Sequence, residues 1–107
     1  MIFIELPIFT RCAEAIFTEE DLLSLQQIVM ENPTVGVVIP GAKGLRKLRV
    51  SQPGRGKKGG ARVIYYHWSS KDWCYLVYAY AKNDISDLTK DQLHRLATVI
   101  QSEIHHE

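Results

Sequence analysis

Lys43, Arg46, Lys47, Arg49, Arg55, Lys57, Lys58 and Arg62 all fall between Gly41 and Tyr66, and no Asp or Glu lies among them. The whole chain has a formal net charge of only +1, so the remainder is acidic on balance. A cationic segment inside a near-neutral protein is the footprint of a polyanion-binding face, and nucleic acid is the commonest polyanion. The chemistry open to such a segment uses cations and phenols. In RNA the 2′-hydroxyl can attack the adjacent phosphate, and the protein then has to hold the geometry and stabilise the extra negative charge. Arg62 offers a guanidinium that forks onto phosphate. A lysine crowded by other cations has its neutral form favoured and can act as a general base, which makes Lys47, Lys57 and Lys58 candidates. Tyr65, Tyr66 and Tyr80 can stack a splayed base or donate a proton, although each also reads as a core aromatic. With no carboxylate in the segment, a two-metal nuclease site is not expected there, and no motif calls for a cofactor.

Two other constellations carry less. Gly54-Arg55-Gly56-Lys57-Lys58-Gly59 spells G-x-G-x-x-G, but a dinucleotide fingerprint needs a helix to start there and a strand pattern follows. The glycine-rich loop instead lets the backbone come close while Arg55, Lys57 and Lys58 reach phosphates. The histidines form no ligand set. His105 and His106 are adjacent at the terminus, His94 falls on the solvent side of the last helical pattern, and His67 sits between Tyr66 and Trp68 as a structural residue.

The elements that must position these groups follow from patterning. Leu45–Ser51 alternates, placing Leu48 and Val50 with Arg46 on one side and Leu45, Lys47 and Arg49 on the other. Pro53 to Gly60 reads as a glycine-rich reversal. Ala61–Trp68 and Trp73–Ala81 are aromatic and β-branched runs joined by Ser69-Ser70-Lys71-Asp72, a hairpin apolar on both faces and therefore central in a sheet. Arg62 thus leads out of a glycine-rich loop into a rigid strand. Ile2–Leu6 reads as a first strand ended by Pro7, and Ile8–Phe17 as a short helix. Thr18 to Asp21 fits an N-cap with a carboxylate three residues on. Leu22, Leu25, Ile28 and Val29 then recur at helical spacing until Asn32-Pro33. Thr34 to Lys43 reads as a connection. After Lys82-Asn83-Asp84, Thr89 to Gln92 fits a second capping box, and Leu93, Leu96, Ala97, Ile100 and Ile104 form a helical stripe. The order is β-α-α-β-β-β-α. It implies an α+β domain with a largely antiparallel four-stranded sheet packed with helices.

The 107 residues allow one domain with one modest core. A hydrophobic content of 46% with 23% charged residues is that of an ordinary globular protein. No apolar run reaches membrane-spanning length, the start MIFIELPIF lacks the features of a signal peptide, and Cys12 and Cys74 read as reduced single cysteines. A cytoplasmic location is expected.

The runs Gly44-Leu-Arg-Lys-Leu-Arg-Val50, Gly56-Lys-Lys-Gly-Gly-Ala-Arg62-Val-Ile-Tyr-Tyr66 and Tyr80-Ala-Lys-Asn-Asp84, with Asp87-Leu88, closely resemble the RelE/ParE superfamily of bacterial toxins, and in particular its HigB-like branch. The inferred element order extends the resemblance over nearly the whole chain. It implies the toxin of a type II toxin–antitoxin system. Such a toxin is a ribosome-dependent, metal-independent mRNA interferase acting in the A site of the 70S ribosome, with a cognate antitoxin as partner. Matched by position, Lys47 and Arg49 take the places of the basic strand pair, and Arg62 that of the arginine that stabilises the transition state. Asn83 stands where the prototype has a second catalytic arginine, and Thr89 falls near its catalytic tyrosine. General-acid duty is thereby left open between Lys82 and Tyr80. The expected catalytic set is Arg62, Lys57, Lys47, Lys82 and Tyr80, with Arg46, Arg49, Arg55, Lys58, Tyr65 and Asn83 contacting RNA.

Two further classes stay in play. A ParE-like inhibitor would use the same fold against DNA gyrase without cutting RNA, and a simple binding module would hold RNA without cutting it. The dense basic patch and Arg62 favour the interferase, because a gyrase inhibitor has no need to grip an RNA backbone.

Overall fold

Thr18 begins the first well-specified helix. Its hydroxyl accepts from the Asp21 N–H at 3.1 Å, and the Asp21 carboxylate accepts from the Thr18 N–H at 2.9 Å. This closes the capping box anticipated from the sequence. The same pairing recurs between Thr89 and Gln92 at 2.9 and 3.1 Å. The computed structural model describes residues 1–51, 60–81 and 88–105. Within them the order is β1 (Ile2–Glu5), α1 (Pro7–Ile16), α2 (Glu19–Glu31), β2 (Val37–Val38), β3 (Arg46–Val50), β4 (Ala61–Trp68), β5 (Trp73–Ala81) and α3 (Lys90–His105). Pro7 sits in the first turn of α1, where its missing N–H costs nothing.

The strands form one sheet in the order β1-β5-β4-β3-β2. All pairs are antiparallel except β1 with β5. The expected four strands become five, because Val37–Val38 lies inside the stretch read as a connection and pairs with Lys47 and Arg46 of β3. Two residues are too few to leave an alternating pattern, so the sequence held no sign of β2.

The hairpin β4–β5 is central, and helices cover both of its faces. On one face Phe9 and Ala13 of α1 and Leu25 and Val29 of α2 bury Leu48, Val63, Tyr65 and Leu76. On the other, Ala97 and Ile100 of α3 bury Leu45, Ile64, Tyr75, Val77 and Tyr80. Val77 is an extra residue in β5. The register runs Ile64 opposite Tyr78 and then Tyr65 opposite Leu76, so Val77 and the adjacent Tyr78 both belong to the α3 side. A bulge of this kind re-aims side chains without breaking the strand.

At the hairpin turn, His67 Nε2 lies 3.1 Å from Asp72 Oδ1. That contact holds the Asp72 carboxyl below the usual carboxylate range and gives His67 the structural place its neighbours suggested. Cys12 and Cys74 are free thiols. Gly60, which delivers the chain into β4, has φ of +63°, and a Cβ there would collide with the Val50 carbonyl; only glycine fits.

Burial pushes the Cys74 thiol up to about 12. An unfolded thiol ionises near 9, so above that pH the unfolded chain releases a proton that the native chain keeps. This contribution is complete below about pH 9 and is lost as pH rises toward the folded value, at a rate approaching about 1.4 kcal/mol per pH unit. Burial also raises the Tyr65 phenol, which adds to the loss at higher pH. Urea unfolding followed by tryptophan fluorescence at pH 8, 9 and 10 should show a falling stability, and Cys74→Ala, though less stable throughout, should fall less steeply.

Candidate nucleic-acid interface

The pairing of the three central strands decides which cations meet. Arg49 of β3 lies opposite Arg62 of β4, and Arg62 lies opposite Tyr80 of β5. Directly paired residues share a sheet face and stand about 5 Å apart at Cβ. Arg49, Arg62 and Tyr80 therefore form one row across the α3 side of the sheet. Lys47, two residues before Arg49 and opposite Ile64, is on that side as well.

An anion lying between Arg49 and Arg62 is attracted by both charges. Burial is graded along the row, with Arg49 exposed, Arg62 half-buried and Tyr80 buried. A guanidinium partly withdrawn from water attracts a phosphate more strongly than one fully solvated. Lys47 is also half-buried. It lines a recess of about 30 Å³ with Ile39, Ile64, Tyr80, Leu88 and Leu93. Such a space is large enough for a water molecule, and Lys47 and Tyr80 both border it. Against the outer side of β5, Ile8, Tyr78, Leu88, Gln92, Arg95, Leu96 and Val99 line a larger open groove of about 290 Å³.

Not every expected RNA contact joins this face. Tyr65 and Arg46 are paired with each other and point to the α1–α2 side. Tyr65 is fully buried; its hydroxyl donates to the Pro33 carbonyl at 2.8 Å and accepts from the Gly36 N–H at 2.9 Å. Arg46 Nη1 donates to the Gly36 carbonyl at 2.8 Å and the Thr34 carbonyl at 3.3 Å. A Cβ at Gly36 would stand 2.7 Å from the Tyr65 ring. The pair thus clamps the α2–β2 connection, and Tyr65 presents no ring face on which a base can stack. Tyr66 is on the α3 side, half-buried against Gly44. The positions of Arg55, Lys57 and Lys58, and of Lys82 and Asn83, lie outside the described residues.

Among the described residues, no cluster of three or more His, Cys, Asp or Glu side chains is placed to hold a metal ion, and no helix is long and apolar enough to cross a membrane. Tyr78 is the residue that sequence reasoning passed over. Its strand parity with Tyr80 was the available signal, and the bulge keeps both rings on the α3 side with centroids 6.2 Å apart.

The sequence model of a family described as the RelE toxin of the RelE/RelB toxin–antitoxin system matches residues 39–105, a span that holds β3, β4, β5 and α3. Among solved structures, a double arginine-to-alanine mutant of the E. coli toxin RelE in the free state is similar, with a TM-score of 0.59 and 13% sequence identity. The match covers 92% of this chain and 95% of that one. At this identity the likeness is one of fold.

Removing the Tyr65 hydroxyl leaves the Gly36 N–H and the Pro33 carbonyl without their partner. Tyr65→Phe should lower unfolding free energy by about 1–3 kcal/mol, measured by denaturant titration. The cationic row is on the other face, so any RNA affinity of the wild type should be unchanged in the folded variant.

Proposed function

The chain belongs to the RelE toxin family and is the toxin of a toxin–antitoxin pair, and from that premise we propose that it is a ribosome-dependent, metal-independent mRNA interferase. Its partners in this reading are translating 70S ribosomes with their mRNA, and the cognate antitoxin that family membership implies; its place of action is the cytoplasm. The runs around Lys47 and Arg62 favour the HigB-like branch of the superfamily. The observation that carries the reading is the row of Arg49, Arg62 and Tyr80 with Lys47 on the same face.

The reaction balances without any group from outside the RNA. The 2′-oxygen attacks the neighbouring phosphorus and gives up its proton to a base. The bond from phosphorus to the next 5′-oxygen breaks, and that oxygen takes a proton from an acid. The products are a 2′,3′-cyclic phosphate and a free 5′-hydroxyl. Arg62 neutralises charge that builds on the phosphoryl oxygens, where preorganised donors act most strongly, and Arg49 holds the strand from the solvent side. Lys47, which borders the recess with Tyr80, takes the first proton as a neutral amine in this reading; Lys57 is the alternative base. Tyr80 or Lys82 returns a proton to the leaving oxygen.

Arg62→Ala should abolish growth inhibition and lower the cleavage rate by about a hundred- to a thousandfold, the typical loss for one transition-state donor. Its unfolding midpoint and antitoxin binding should stay near wild type. Primer extension on mRNA from cells expressing the wild-type chain, with and without translation, should show cuts confined to translated regions. Intact mRNA with DNA damage would replace this reading with the gyrase-directed one, and undiminished toxicity in Arg62→Ala would remove Arg62 from the site.

A further inference from the structure

The groove beside the cationic row takes no part in the reaction just described. It lies between the start of α1, the bulged part of β5 and α3, with Leu88, Leu96 and Val99 among its apolar lining and Tyr78 as its aromatic member. It adjoins the recess across one shared wall residue. Leu88 borders both the groove and the recess that holds Lys47 and Tyr80, and the Tyr78 and Tyr80 rings stand 6.2 Å apart, tilted by 39°.

We propose that this groove is a base-reading subsite, in which one nucleobase of the bound RNA strand stacks on Tyr78 while Gln92 and Arg95 donate hydrogen bonds to its edge. The inference rests on the reading of the chain as an RNA-cleaving toxin, and adds sequence discrimination to a phosphate grip that by itself carries none. Three observations select a base as occupant. A volume of about 290 Å³ lies just below the range of drug-sized ligands and suits a single ring system. An aromatic ring among aliphatic walls is the lining that splayed bases use in single-stranded recognition. The groove also adjoins the cationic row, since Tyr78 lies two residues from Tyr80, the partner of Arg62 across the sheet, so a strand gripped at Arg62 can lay a neighbouring base against Tyr78.

The polar groups narrow the choice further. Gln92 Oε1 already accepts from the Thr89 N–H at 2.9 Å, which leaves its amide nitrogen to face a ligand, and that nitrogen only donates. Arg95 likewise only donates. Two donors favour an edge that presents two adjacent acceptors, such as O6 and N7 of guanine, over the adenine edge, where N7 adjoins an amino donor. Between the purines, the subsite therefore takes guanine in preference to adenine.

The test uses the toxin freed from its antitoxin and fluorescently labelled RNA pentanucleotides with 2′-O-methyl sugars, which bind but cannot be cut. An abasic residue is placed at each position in turn and affinity is read by anisotropy. For the wild type, one position should cost about tenfold when its base is removed, the scale of a lost base–aromatic stack, and restoring guanine there should recover more than adenine. Tyr78→Phe should keep the tenfold difference and Tyr78→Ala should lose it. Gln92→Glu retains an acceptor for the Thr89 N–H but no donor, so it should lose the preference among bases while keeping its unfolding midpoint. A wild type that cleaves mRNA yet binds abasic and intact RNA equally would overturn the subsite alone. Absence of mRNA cleavage on translating ribosomes would overturn the interferase reading and the subsite together, whereas a wild type that cleaves there but binds none of the pentanucleotides would overturn the subsite alone. Tyr78→Ala that weakens antitoxin binding while RNA discrimination survives would make the groove a protein-docking face and also overturn the proposal.

Discussion

The register between β3 and β4 is the constraint on which the rest depends. It sets Arg49 against Arg62 and, through β5, Tyr80 beside them. Side chains alternate along a strand, so a slip of one residue in β3 would send Lys47 and Arg49 toward α1 and α2 and bring Leu48 and Val50 to the α3 side. The apolar face forbids this, because Leu48, Val50, Val63 and Tyr65 are buried together against Phe9, Leu25 and Val29. Gly60 fixes the same register from the end of the strand, where it turns into β4 against the Val50 carbonyl at a backbone angle that other residues resist. The cations are thus positioned by residues that touch no ligand.

The two faces of the sheet divide the work. On the α1–α2 side, Phe9, Leu25, Val29, Val63, Tyr65 and Leu76 have essentially no exposed surface, and Tyr65 and Arg46 tie the adjoining connection down with hydrogen bonds. On the α3 side the helix contributes Ala97 and Ile100 as its fully buried residues, while Leu88, Leu93 and Leu96 stay half-buried around open space. Packing density is the source of stability in an interior, and space is what a ligand requires. The face that gives up some packing carries the recess at Lys47 and the groove at Tyr78.

Much of this was legible in the sequence because the signals were local and periodic. The alternation of Leu45 to Val50 separated Lys47 and Arg49 from Arg46, and both capping boxes could be named from Thr18 and Thr89. The hairpin from Ala61 to Ala81 announced itself by composition. What stayed hidden depended on pairing at a distance. Val37–Val38 is a strand only because β3 offers it partners. Tyr65 is unlike Tyr66 only because the Gly36 N–H and the Pro33 carbonyl meet its hydroxyl. Val77 is a bulge only in relation to the Ile64–Tyr65 step of β4. A basic residue near other basic residues also misled in one instance, since Arg46 belongs to the cationic run in sequence and to the scaffold in space.

Electrostatic placement explains why the cations of β3 and β4 need not be equivalent. Arg46 commits its Nη1 to two backbone carbonyls and steadies the fold. Arg49, exposed at the rim, acts mainly at a distance through a field that salt weakens within about 10 Å. Arg62 is half withdrawn from water, next to a buried phenol and opposite a second guanidinium, so its field is less screened and its planar fork is held by the strand beneath it. In the proposed reaction a phosphate gripped by Arg49 and Arg62 gains negative charge as it approaches the transition state, and both guanidinium groups attract it more strongly there. An interaction that grows with the ligand's charge favours the transition state over the ground state. On that reading the discrimination follows from a single cross-strand pairing.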